Sequence, residues 1–242
     1  TEHGGTLGPA LLPWHCHSTV LYSLDGEQGG TMARTAYRAL AGTLTALAVA
    51  LQYWLSVVAN PSSDVLISSL RFFSFFTILT NLLAAAALLW PVLRPEDVAA
   101  RFLSRASVRT AIAGYIVMVG VVYYLLLLGL SHRQGLSLAV EHILHSVTPL
   151  LFVIDWAFFV PKAGVRWRVG FASLIFPLAY AAWILVYGAA SGWYPYPFID
   201  VSELGYAQVG ANIVALVVAF LLIELMLVAI GRKLEAHGRP AI

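Results

Sequence analysis

The sequence predicts an all-α, polytopic membrane protein with six transmembrane helices and both termini in the cytoplasm. Three observations carry that expectation. The first is composition: of 242 residues, 60% are hydrophobic and 11% charged, and the mean hydropathy is +0.82. A soluble domain has roughly a quarter of its residues charged, so this chain is built for lipid. The second is six apolar runs, each reaching the roughly 17–25 residues a helix needs to cross the hydrocarbon. The third is a one-sided distribution of lysine and arginine. Alternation of period two is not evident, which argues against a β-barrel. The formal net charge of +2 gives no footprint for nucleic acid. A single cysteine, Cys16, excludes an internal disulfide framework and a multi-thiolate metal site.

Residues 1–31 differ from the rest. "TEHGGTLGPALLPWHCHSTVLYSLDGEQGGT" is Gly-rich and aperiodic, and reads as a tail or extension. Its apolar stretch "LGPALLPW" is too short and too Pro-broken for a signal sequence, with Met32 as a natural start. "WHCH" at 14–17 offers at most a partial metal site, since metal ligands come in fuller sets. No metal and no cofactor is expected. The membrane domain then occupies 32–235, and 236–242 form a short cytoplasmic tail.

The first span is 36–59, opening "AYRALAGTL". The second is 66–93, which contains "RFFSFFTILTNLL". The third, 108–130, ends in "VVYYLLLLGL", and the fourth, 137–160, contains "VEHILHSVTPLLFVIDWAFFV". The fifth is 168–190 and the sixth 206–230. Linkers such as "RPEDVAARFLSRAS", "PKAGVRW" and "SGWYPYPFIDVSELG" supply the Pro, Gly and charge that end helices. Arg34 and Arg38 open span one. Arg94, Arg101, Arg105 and Arg109 lie between spans two and three. Lys162, Arg166 and Arg168 follow span four, and Arg232, Lys233 and Arg239 follow span six. Only Arg71 and Arg133 are left for the other side, so the positive-inside rule places both termini in the cytoplasm.

Four ionisable groups inside span four raise the question of function. At about 100° per residue, Glu141, His145, Thr148 and Asp155 fall within roughly 80° of arc, with His142 about 60° beyond His145. Ionised groups facing lipid cost at least ~2.5–3.5 kcal/mol each, so this stripe faces other helices or a wet cavity. Span two has a matching stripe of Ser74, Thr77 and Asn81, with Arg71 one turn nearer the outside and able to guard the same face. Measured at 1.5 Å per residue from the external starts, Thr77 is roughly 16 Å deep and His145 roughly 12 Å deep. An imidazole and a hydroxyl at one depth suit a base and its nucleophile. Glu141 can orient the imidazole, and Asn81 and Ser74 can donate to a developing oxyanion.

Each of these groups also has a plainer role available. Ser and Thr in spans bond carbonyls or tie helices together. Arg71 can snorkel, Asp155 can pair with Lys162 or Arg166, and Glu224 can snorkel or brace the bundle. Asn212 and Gln208 are shallow enough to touch a ligand. A second function also fits the inventory: a proton-coupled transporter or channel using Glu141, His142, His145 and Asp155 as a relay.

"SFFTILTNLL", "EHILHSVTPLLFVID" and "SGWYPYPFIDV", in that order, resemble the androgen-induced protein family and its bacterial six-helix relatives, over about residues 36–232. The studied animal members are intramembrane threonine hydrolases that cleave fatty acid esters of hydroxy fatty acids. The resemblance implies that Thr77 in "FFTIL" is the nucleophile and His145, the second of "HILH", its base. It also implies a lipid or fatty-acyl ester as the partner and a bacterial inner (plasma) membrane as the location. Glu141 stands where the animal members carry an amide, and Pro149 lies one residue nearer His145 than in their pattern. "GWYPYPF" matches the family's loop loosely. Its Trp193 and Tyr196 are expected to contact substrate or to anchor at headgroup level, with Tyr194 and Phe198 beside them.

Overall fold

We describe residues 1, 15–59, 64–130 and 133–237 in a computed structural model. Trp14 and His132 lie outside that set, as do the side chains of His15, Cys16 and His17, so the WHCH stretch carries no structural statement. Helix dominates the described residues, and no strand occurs among them. The chain divides into two compact units, Thr1–Ala36 and Tyr37–Ile242. In the first, the backbone is helical from His15 onward, although this stretch lacks the apolar period that would have signalled a helix.

Among the described residues, six helices are long and apolar enough to cross a membrane: Gly30–Val58, Phe76–Leu93, Ala106–Leu130, Gly135–Phe159, Trp167–Ser191 and Val201–Ala236. The chain is therefore an integral membrane protein. By elements, α1 is His15–Tyr53, α2 Val65–Phe73, α3 Phe76–Leu93, α4 Val98–Leu103 and α5 Ala106–Val122. Then come α6 Gly135–His142, α7 Thr148–Phe159, α8 Trp167–Ala172, α9 Ile175–Ser191 and α10 Val201–His237.

The second span departs from the continuous helix expected over 66–93. It breaks at Ser74 and Phe75, where ψ runs from −1° to 127° before α3 begins. The hydrogen bonds explain the break. Ser74 Oγ donates to the Leu70 carbonyl at 2.7 Å, competing with the backbone ladder. The Ser74 carbonyl accepts instead from the Tyr180 hydroxyl at 2.9 Å. A helix end buried in a membrane protein needs such partners, because no water reaches it. Three other spans carry one π turn each: Trp54–Val58 in span one, Tyr123–Leu127 in span three and Ile143–Val147 in span four. Such turns shift the ladder from i−4 to i−5 and cluster at functional sites.

Aromatic rings tie the spans together. Phe76 of α3 packs on Tyr180 of α9 at 5.0 Å between centroids and on Phe220 of α10 at 5.5 Å. Tyr115 of α5 meets Phe176 at 5.1 Å. Each such pair adds about 0.5–1.5 kcal/mol beyond its buried area. A smaller cluster joins spans one, two and four through Val49, Val57, Phe72, Ile78 and Leu144. The loop after α9 is pressed onto its helix. A Cβ added at Gly188 would stand 2.0 Å from Tyr194 Cε1, so only glycine admits that ring.

At the far end of the bundle, the charge pairing differs from expectation. Asp155, with no exposed surface, binds Arg38 Nε at 2.6 Å and also pairs with Arg109, which is 1% exposed. Arg109 donates to the Ala87 carbonyl as well. One carboxylate thus ties spans one, two, three and four, and neither Lys162 nor Arg166 is its partner. Lys162 turns back instead, donating to the carbonyls of Trp156 and Val160, with its ammonium 4.5 Å from the Trp156 ring. It caps the carboxyl end of α7. Glu224 does not snorkel. It is fully buried against Gly114, where an added Cβ would come within 2.1 Å of its Oε1.

Candidate active site

The two expected stripes meet. Thr77 Oγ1 is 3.4 Å from His145 Nε2. Thr77 is the second residue of α3, just past the break at Ser74 and Phe75, while His145 projects from the π turn of span four. Thr77 is buried and His145 half-buried.

The other ring nitrogen fixes the tautomer. His145 Nδ1 is 2.9 Å from the Glu141 carbonyl oxygen. A carbonyl can only accept, so Nδ1 carries the proton and the neutral ring presents its Nε2 lone pair to Thr77. The π turn contributes to this, because widening the ladder frees carbonyls for side-chain donors. The ring is also held from its face: Tyr123, at the head of the π turn in span three, stacks on it at 4.2 Å with 23° between planes. A base oriented by a backbone carbonyl and an aromatic face performs the task that a carboxylate performs in a serine triad.

Tyr196 completes the group. Its hydroxyl is 3.5 Å from Thr77 Oγ1 and accepts from the Thr77 amide at 3.4 Å. Burial raises its phenol above the usual value near 10, so the proton stays on and the group remains a donor. The Thr77 amide belongs to the first turn of α3, whose positive dipole end faces the same point. Tyr196 stacks flat on Phe198 at 5.1 Å and edge-on to Phe75 at 5.6 Å, which fixes the hydroxyl in place.

Several expected roles move. Asn81 Nδ2 donates to the Thr77 carbonyl at 2.8 Å and to the Leu144 carbonyl at 3.2 Å. Both its hydrogens are engaged, so it pins α3 to the π turn and has none to offer an oxyanion. Ser74 is likewise committed to Leu70. The Glu141 side chain pairs with Arg133 at 3.7 Å, and its carbonyl, rather than its carboxylate, orients His145. His142 is exposed, and its ring meets the edge of Tyr123 at 6.4 Å. Asn212 donates to the Phe198 carbonyl at 2.8 Å and accepts from Gln208, so it braces the loop that carries Tyr196. Trp193 lies under the Arg71 guanidinium at 5.3 Å and edge-on to Phe75 at 5.7 Å. Thr148 bonds Thr45 of span one at 3.2 Å.

Two cavities flank Thr77. One is a chamber of about 480 Å³ whose walls include Gln52, Arg71, Arg133, Glu141 and His145. The other is an apolar slot of about 80 Å³ between Phe76, Met118, Ile184, Ile213 and Phe220. Thr77 and Tyr196 line both. The sequence reading missed Tyr123 as the plate behind His145 and Tyr196 as a partner of Thr77. Tyr123 and Tyr124 form the only polar pair in the run "VVYYLLLL", a signal that was available.

Compared with protein-family models, with curated proteins and with solved structures, the chain matches none.

Proposed function

We propose that this protein is an intramembrane hydrolase of carboxylic esters of lipids, with Thr77 as nucleophile and His145 as base. The observation that carries the reading is the Thr77 Oγ1 to His145 Nε2 distance of 3.4 Å, with Nδ1 engaged by a carbonyl. Catalytic hydrogen bonds without substrate are often somewhat long and tighten in the complex. The resemblance of the three motifs to the androgen-induced protein family supports the same pair of residues.

In this reading, Thr77 Oγ1 attacks the ester carbonyl carbon while its proton passes to His145 Nε2. The carbonyl oxygen becomes an oxyanion facing the Tyr196 hydroxyl and the first turn of α3. The bond to the leaving oxygen breaks, and His145 returns the proton to that oxygen. Water, deprotonated by the same nitrogen, then cleaves the acyl-threonine and restores the hydroxyl.

A proton relay has less support: Asp155 is clamped between two arginines and His142 is exposed, which favours the hydrolase reading over a relay through the four ionisable groups of span four. The hydrolase reading is tested by reconstituting the purified protein in vesicles with a long-chain fatty acid ester and measuring release of acid. Wild type and Thr77→Ser turn over, and Thr77→Ala falls by at least ~10³-fold. Equal turnover in Thr77→Ala removes the assignment.

A further inference from the structure

We infer that the apolar slot beside Thr77 is a closed acyl pocket with Phe220 as its inner stop. The ester cleaved best then has a medium-length acyl chain of about six to eight carbons. This rests on the hydrolase reading and deepens it by naming the acyl group.

The two cavities divide the substrate. His145 returns its proton to the leaving oxygen, and His145 lines the chamber but not the slot. The leaving alcohol therefore lies on the chamber side of Thr77 and the acyl chain on the other. The slot suits an alkyl chain, because apart from Thr77, Tyr180 and Tyr196 its walls are apolar side chains.

Both ends of the slot are bounded. At the inner end, Phe220 packs on Phe76 at 5.5 Å and on Tyr115 at 6.4 Å, and Tyr115 meets Phe176 at 5.1 Å, so four rings form a floor. One turn further along α10, Glu224 is fully buried against Gly114, itself one turn from the slot residue Met118 on α5. Spans three and six touch there, and a carboxyl is a poor host for the methyl end of a chain. At the end nearer the start of α10, the walls are Phe198 and Ile199, and Asn212 pins their loop by donating to the Phe198 carbonyl at 2.8 Å.

Capacity follows in two independent ways. The slot has about 80 Å³, and a water-sized group needs about 10–15 Å³ of cavity, so it takes on the order of 5–8 carbons. Along α10 the walls run from Ile213 to Phe220, roughly 10 Å at about 1.5 Å per residue. An extended chain with bonds of about 1.52 Å and angles of about 111° advances about 1.25 Å per carbon, which gives roughly eight. Volume and length agree.

The experiment uses the full chain in lipid nanodiscs and 4-methylumbelliferyl esters of saturated acids from four to sixteen carbons, with substrate expressed per lipid. The leaving group is constant, so kcat/KM reads the acyl end alone. In wild type, kcat/KM peaks at about six to eight carbons and falls by about tenfold at sixteen, which is still cleaved. Phe220→Ala removes the stop and moves the peak longer by about two carbons or more. Ala181→Phe fills the slot from α9 and moves the peak to about four, and it carries the test on its own where Phe220→Ala does not fold. A flat profile, a rise through to sixteen carbons, or a peak that neither variant moves overturns the pocket and leaves the hydrolase reading intact. Native mass spectrometry with the free saturated acids reads the slot without chemistry. An acid retained best at about six to eight carbons, and lost in Ala181→Phe, supports the pocket even in a preparation that cleaves nothing. Retention that climbs steadily to sixteen carbons counts against it.

Discussion

Thr77 is an ordinary alcohol in an unusual place. Its oxygen has a lone pair of His145 on one side and the Tyr196 hydroxyl on the other, at 3.4 and 3.5 Å. The phenol oxygen accepts from the Thr77 amide, and its own proton has Thr77 Oγ1, and in the reaction the oxyanion that forms beside it, as acceptors. Tyr196→Phe keeps the ring stack on Phe198 and deletes the hydroxyl, which is both the donor aimed at an oxyanion and the acceptor of the Thr77 amide. Removing one oxyanion donor costs about 10²–10³-fold in kcat, and this loss is expected here with KM little changed. Steady-state kinetics on the reconstituted protein separates that result from a packing defect, which would move KM and protein yield together. At this scale, Thr77 and His145 were legible together, because helical periodicity brings their stripes to one depth. The sequence hid the roles of Ser74, Asn81 and Glu141. Each has a backbone group within reach, and whether a side chain bonds locally or points into a cavity depends on where the helix breaks. Tyr196 was legible as a site residue, but its contact with Thr77 depends on how a loop folds back over 119 residues of separation.

The elements explain why the site can exist. A continuous helix through Ser74 would tie the Thr77 amide to a carbonyl one turn earlier. The break exchanges that bond for Tyr196, and Tyr180 seals the carbonyl left behind. Length and hydropathy alone could not reveal the break, since Ser74 and Phe75 are compatible with helix. The clamp at the other end was half visible: Asp155 was expected to be paired, but with the nearest bases in the chain. Arg38 and Arg109 reach it because spans one and three pack against span four, a tertiary fact. Breaking a buried ion pair costs about 3–5 kcal/mol when one partner is removed. Asp155→Ala, which leaves two arginines facing each other, should therefore lower the unfolding midpoint in a detergent titration by a corresponding amount. Lys162→Met, which removes an ammonium bonded to carbonyls, should cost much less. Similar losses in both variants would contradict the clamp.

Across the whole molecule, the six spans were legible because each apolar run is long enough to cross, and the helices occupy nearly the expected ranges. Which spans touch was not legible, because no side chain in a uniformly greasy helix announces its neighbour. Orientation rests on the lysines and arginines. With all but Arg71 and Arg133 falling before or at the start of span one, between spans two and three, between spans four and five, or after span six, we propose that both termini face the cytoplasm and that the chamber opens on the opposite side. A green fluorescent protein fused after Ile242 should fluoresce in cells, and alkaline phosphatase at the same position should be inactive. Active phosphatase would invert the molecule.

The central claim is that Thr77 forms a covalent acyl intermediate with help from His145. The most direct test is reaction of the purified protein with a fluorophosphonate, followed by mass spectrometry of the peptides. We predict a single adduct on Thr77, absent in Thr77→Ala and formed far more slowly in His145→Ala. An adduct on another residue, or equal labelling in Thr77→Ala, would contradict the account.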